Sequence, residues 1–163
     1  LHEILSKKAK ALQYRDRVVS HLPELRRFAG ALVAPGHVQS NGAVDDLVVR
    51  SAAAVMRERL EGDHALRLAL YGAVIRFAQG RDLRPTSPPA PGSFAEGLLS
   101  LQLHHRAALL LVTLERFTYE EAAAILGVSR SFLVAKLSTA RQVLARRMEG
   151  AGARPTPHLR VVK

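Results

Sequence analysis

The 163-residue chain is 48% hydrophobic and 23% charged, enough apolar material for a packed core and too much for wholesale disorder. It has no cysteine, which excludes disulfides and thiolate metal sites, and no apolar run approaches the roughly 20 residues that span a bilayer. The net charge of +10 is uneven, because residues 129–163 hold eight Lys/Arg against one acid and residues 1–128 hold sixteen against thirteen, a bias that suits a polyanionic partner.

Residues 1–20 form an extension in which Ile4, Leu5, Ala9 and Leu12 fall at helical spacing among Lys7, Lys8 and Lys10. The stretch lacks the apolar run and small-residue cleavage site of a secretory signal, so a cytoplasmic location is expected. Residues 21–80 read as a first small helical domain. Leu22, Leu25, Phe28, Ala29 and Leu32 mark one apolar helix face with Arg26 and Arg27 on the other. Pro35, Gly36, Asn41 and Gly42 interrupt the pattern, and a second helix carries Leu47, Val48, Ala52, Val55 and Met56 with Asp45 and Asp46 in its first turn, where acids suit the helix dipole. A third runs from about Asp63 to Gln79 on Leu66, Leu70, Val74 and Phe77.

Residues 81–93 hold Pro85, Pro88, Pro89 and Pro91 and read as a semi-rigid linker. Residues 94–150 form the second domain, whose leucine-rich stretch Ser100–Leu114 reads as one core helix. Residues 151–163 are a basic tail, broken by Gly152, Pro155 and Pro157 and expected to be loosely ordered. No stretch shows sustained period-two alternation, so the fold is expected to be all-α: two small helical domains joined by a Pro-rich linker.

Within the second domain Thr118-Tyr-Glu-Glu121 is a capping box that starts a helix. That helix ends at Gly127, which permits the left-handed turn residue, and Ser129 caps a further helix from Arg130 to about Met148. Leu133, Leu137, Ala140 and Leu144 point this last helix inward. A short helix, a glycine turn and a longer basic helix make a helix-turn-helix, whose second helix enters the major groove. Its outward positions, the candidate DNA readers, are Arg130, Ser131, Val134, Ala135, Lys136, Ser138 and Arg141.

The run Thr118-Tyr-Glu-Glu-Ala-Ala-Ala-Ile-Leu-Gly-Val-Ser129, with Arg106–Glu115 before it and Lys136–Arg141 after it, resembles region 4 of extracytoplasmic-function RNA polymerase sigma factors. His21–Leu32 and Asp45–Val48 are similar to the start of region 2, and Leu159–Lys163 resembles the tail of the alphaproteobacterial general-stress-response branch. The resemblance implies that region 4 reads the minus-35 promoter element and docks on the polymerase β flap. It implies that region 2 docks on the β′ clamp through Asp45, Asp46 and Leu47, and that a helical anti-sigma factor covers apolar surface of both domains.

The second half of region 2 departs from that family. Leu66–Phe77 lacks the tryptophan and the asparagine-bearing basic-aromatic stretch, leaving Tyr71 and Phe77 to stack a flipped base. In the recognition helix Val134 and Ala135 stand where many relatives are polar or basic. The expected function is an alternative sigma factor for stress promoters. The alternative is a sigma-like decoy that binds an anti-sigma factor without initiating transcription, as the sigma-like half of one response-regulator family does, although the sequence has no acidic phospho-acceptor strand pattern of a receiver. A different helix-turn-helix regulator would need a ligand or dimer domain before the linker, for which residues 1–80 give no clear case. An enzyme is not expected: the seven His are scattered, His104 and His105 point in different directions, and Asp45 and Asp46 read as a helix start. No cofactor, metal, membrane or small-molecule ligand is implied.

Overall fold

The computed structural model describes residues 2–35, 42–80 and 87–152. Gly36 and Asn41, the linker as far as residue 86 and the tail from residue 153 lie outside the described residues. Among the described residues the structure is all-helical, as expected, with α1 His2–Val33, α2 Gly42–Glu58, α3 Asp63–Ala78, α4 Phe94–Ser100, α5 Leu103–Thr113, α6 Tyr119–Leu126 and α7 Arg130–Gly152.

The N-terminal extension and the first apolar-faced segment are one continuous helix, α1, with Pro23 inside it. Proline removes one backbone donor, yet Val18, Leu25, Phe28 and Leu32 are buried on either side and hold the helix against α2 and α3. Helix α2 buries Val44, Leu47, Val48, Ala52 and Val55; α3 buries Leu66, Leu70, Ala73, Val74 and Ile75. Their corner holds Arg59 in a left-handed conformation, φ 49°, followed by Gly62 at φ 80°.

In the linker, the Ala90 carbonyl accepts from the Ser93 N–H at 3.1 Å across Pro91-Gly92, with Gly92 at φ 75°. Proline followed by a positive-φ glycine is the signature of a type II turn. Ser93 then caps α4 by accepting from Glu96 N–H at 3.2 Å, and the Glu96 carboxylate accepts from Gly92 N–H.

The expected core helix over Ser100–Leu114 is α5, starting at Leu103, and the apolar residues before it form a separate short helix, α4, parted from α5 at Leu101-Gln102. The break is stabilised from a distance. Arg106 is 8% exposed, and its guanidinium donates to the carbonyls of Leu98 at 2.7 Å, Leu99 at 3.2 Å and Leu101 at 2.8 Å, and to Leu32 at the end of α1. These are carbonyls that helix ends leave without intrahelical partners. One planar five-donor group thus closes two helix termini, and burial without an acid partner pulls its pKa down.

The two helical halves share a continuous apolar core running from Val18 to Leu144. Helix α1 packs on α5, and α3 packs on α6, where a Cβ at Gly72 would stand 3.6 Å from the Ile125 carbonyl oxygen.

Candidate partner-binding site

The helix-turn-helix is built locally as the sequence dictates. Thr118 Oγ1 accepts from Glu121 N–H at 3.2 Å while a Glu121 carboxylate oxygen accepts from Thr118 N–H at 2.7 Å. This bond to the charged form holds the Glu121 carboxyl below its ordinary range. Gly127 sits at φ 65°, ψ 34°, and its N–H and that of Val128 close the end of α6 on the Ala123 and Ala124 carbonyls. Ser129 Oγ accepts from Phe132 N–H at 3.2 Å and starts α7. The chain bends by 95° between α6 and α7, within the range of helix-turn-helix units. Leu133, Leu137 and Ala140 are buried, which turns the opposite face of α7 to solvent.

On that face Arg130, Ser131, Val134, Ala135, Ser138 and Arg141 are exposed and Lys136 is half-buried. The two N-terminal cations are already engaged. Arg130 pairs with Glu120 at 2.8 Å, and the Lys136 ammonium lies 4.6 Å from the centre of the Phe132 ring. Phe132 is itself 52% exposed and, with Val134, makes the helix surface partly apolar. The spacing of residues 130–141 gave no reason to single out Phe132, since it neighbours the inward Leu133.

The three residues expected to meet polymerase separate. Asp45 pairs with Arg26 at 2.8 Å and Asp46 with Arg50 at 2.9 Å. Leu47 has no exposed surface and is a core residue, because its place in the α2 repeat with Val48, Ser51 and Val55 faces α1 and α3. It presents nothing to a partner in this conformation. Tyr71, one of two aromatics left for base stacking, is likewise fully buried, with Phe28 and Phe117 rings at 5.0 and 4.9 Å, while Phe77 is half-buried.

Tyr71 instead joins a polar cluster between the halves that sequence reasoning missed. Glu115, 1% exposed at its side chain, accepts two bonds from Arg27, Nε at 3.2 Å and an Nη at 2.9 Å, and one from the Tyr71 hydroxyl at 2.7 Å. Arg67 donates to the Glu115 carbonyl at 3.1 Å and lies 4.1 Å from the Phe117 ring centre. Burial first, and then the bond to Glu115, push the Tyr71 phenol up; the bond to Glu115 and its charge raise the Arg27 guanidinium. Arg116 bears the local strain of this corner, at φ 56°. His64 approaches Glu121 at 3.6 Å, and Gln79 and His104 meet at 2.9 Å. No sequence signal pairs residues 88 positions apart. The one available clue was an acid, Glu115, at the end of a leucine-rich run.

Among the described residues no group of His, Asp or Glu is arranged to hold a metal ion, and no single helix is long and apolar enough to cross a membrane.

Residues 98–146, from α4 into α7, match the family described as the sigma-like domain of the response regulator PhyR. No curated protein matches the chain significantly. Among solved structures, the chain resembles the anti-anti-sigma factor PhyR, crystallised with the anti-sigma factor NepR from Bartonella quintana, at 23% identity and a TM-score of 0.60. That alignment covers 82% of this chain but 49% of the PhyR chain, so this chain spans about half of that protein's length. It also resembles the sigma factor RpoE, in complex with NepR from the same organism, at 24% identity and a TM-score of 0.58, covering 84% of this chain and 97% of that one. The chain therefore has a fold similar to that of these sigma and sigma-like proteins.

Proposed function

We infer that this chain is a sigma-like module that binds an anti-sigma factor, acting in the cytoplasm, without catalysis and without a cofactor. The observation that carries the reading is the match of residues 98–146 to the PhyR sigma-like domain. It is supported by the likeness in fold to two proteins that were each crystallised with an anti-sigma factor. The burial of Tyr71 and the absence of tryptophan agree with a module that does not melt promoter DNA, since no aromatic of α3 is fully available to hold an unstacked base.

A second reading, a working sigma factor, is favoured by one specific observation: the outward face of α7 stays open to solvent while the halves are packed together. In that reading Arg130, Ser131, Val134, Ala135, Lys136, Ser138 and Arg141 face the minus-35 element of a stress promoter, α5–α7 dock on the β flap, and Asp45 and Asp46 face the β′ clamp of core RNA polymerase.

The deciding experiment pairs calorimetric titration against a NepR-type anti-sigma factor with run-off transcription by core polymerase on stress promoters. A one-to-one complex without transcripts is expected. Promoter-specific transcripts that disappear in Lys136→Ala/Arg141→Ala would replace this reading by the second, and absence of both binding and transcripts would refute both.

A further inference from the structure

A groove of about 470 Å³ lies between α1 and the α2–α3 corner, and its lining comes entirely from the N-terminal half. Tyr14, Met56 and Leu60 give it an apolar floor, and Lys10, Arg17 and Arg59 give it a cationic rim opposed by Glu61. The floor is held in place: the Tyr14 hydroxyl donates to the Val55 carbonyl at 3.0 Å and accepts from Leu60 N–H at 3.2 Å. Arg59 is held at the rim by its left-handed backbone, a conformation that persists in a non-glycine residue only where the surroundings impose it.

Arg17 lies 5.7 Å from the Tyr14 ring centre and pairs only loosely with an acid. Its ion-pair partner, Asp63 Oδ1, stands 3.8 Å from Nε and is already bonded to His21 at 3.0 Å. Beyond the groove α1 continues bare, residues 3–9 all exposed, with Lys7 and Lys8 next along the helix. An apolar floor ringed by cations calls for an occupant with an apolar side chain and carboxylates around it.

We propose that this groove docks an acidic linear segment of a partner protein, one apolar side chain seated among Tyr14, Met56 and Leu60 and flanking carboxylates facing Lys10, Arg17 and Arg59. A second copy of the chain is a poor occupant, since residues 2–20 carry five cations and two acids and like charges would meet. The proposal does not rest on the anti-sigma reading, which is carried by residues 98–146, none of which lines the groove.

The test uses the whole chain and a fluorescein-labelled twelve-residue peptide of Glu and Asp with a central Phe, read by fluorescence anisotropy. Saturable one-to-one binding is expected, weakened at least tenfold by Lys10→Glu/Arg59→Asn and by replacing the peptide's Phe with Ser. Asn tolerates the left-handed backbone at position 59, and circular dichroism confirms that the variant is folded. Arg141→Ala/Arg147→Ala in α7 should leave binding unchanged. Loss of binding in the α7 variant but not the groove variant, equal binding of a lysine-for-glutamate peptide, or no binding at all would overturn the proposal. So would full competition by millimolar inorganic phosphate, a preference for anionic lipid vesicles that the groove variant abolishes, or dimerisation that the groove variant reverses.

Discussion

Removing Arg27 should cost more than removing the carboxylate it holds. In Arg27→Met both guanidinium bonds to Glu115 disappear, and a carboxylate that is 1% exposed keeps the Tyr71 hydroxyl as its side-chain donor. Breaking a buried ion pair from one side costs about 3–5 kcal/mol. Arg27 is 54% exposed, so the pair is only half buried and the expected loss is about 2–3 kcal/mol. In Glu115→Gln the stranded group is instead an exposed arginine that rehydrates, and the amide still bonds Tyr71, which reduces the loss to about 1 kcal/mol. The double variant should cost less than the sum, because no charge is left stranded. Urea unfolding at neutral pH, followed by circular dichroism, measures all three. Since the pair spans the two halves, Arg27→Met should also lower the denaturant slope or split the transition. A Glu115→Gln loss equal to or larger than that of Arg27→Met would refute the reasoning, as would losses below about 0.5 kcal/mol for both, the range of solvated surface pairs.

Arg106→Lys keeps a charge but cannot reach four carbonyls at the ends of α1 and α4 from one planar group, so stability should fall by about 2–3 kcal/mol by the same urea titration. Gly72→Ala should be neutral or stabilise by up to about 1 kcal/mol through helix propensity, since its Cβ makes ordinary contact with the Ile125 carbonyl; Gly72→Leu should separate the halves and speed proteolysis in the 81–93 linker. The Asp63 carboxyl is held below its usual range chiefly by its bond from His21. A depressed carboxyl stabilises the fold above its unfolded value and loses that contribution as pH falls through its folded one. Asp63→Asn should therefore lower Tm modestly at neutral pH, with the difference from the unmodified protein vanishing well below about pH 3.9.

How much of this was legible in the sequence follows the range of the interactions. The capping box at Thr118 and Glu121, the left-handed turn at Gly127, the Ser129 cap and the inward leucines of α7 all join residues within about four positions, and each stands where the sequence put it. The outward face of the recognition helix followed from the same periodicity. The tertiary structure decided what lies across the halves. It placed Leu47 in the core, buried Tyr71 away from any base, and set Arg27 and Tyr71 on Glu115 over separations of 88 and 44 residues. It set α4 apart from the leucine-rich helix at Leu101-Gln102, where an arginine takes the carbonyls, and fused residues 2–20 with the first core helix into α1. Hydrophobic periodicity reports which face of a helix is buried, but not against which helix. The partner of a buried charge is fixed only when distant segments pack and leave it one acceptor within reach.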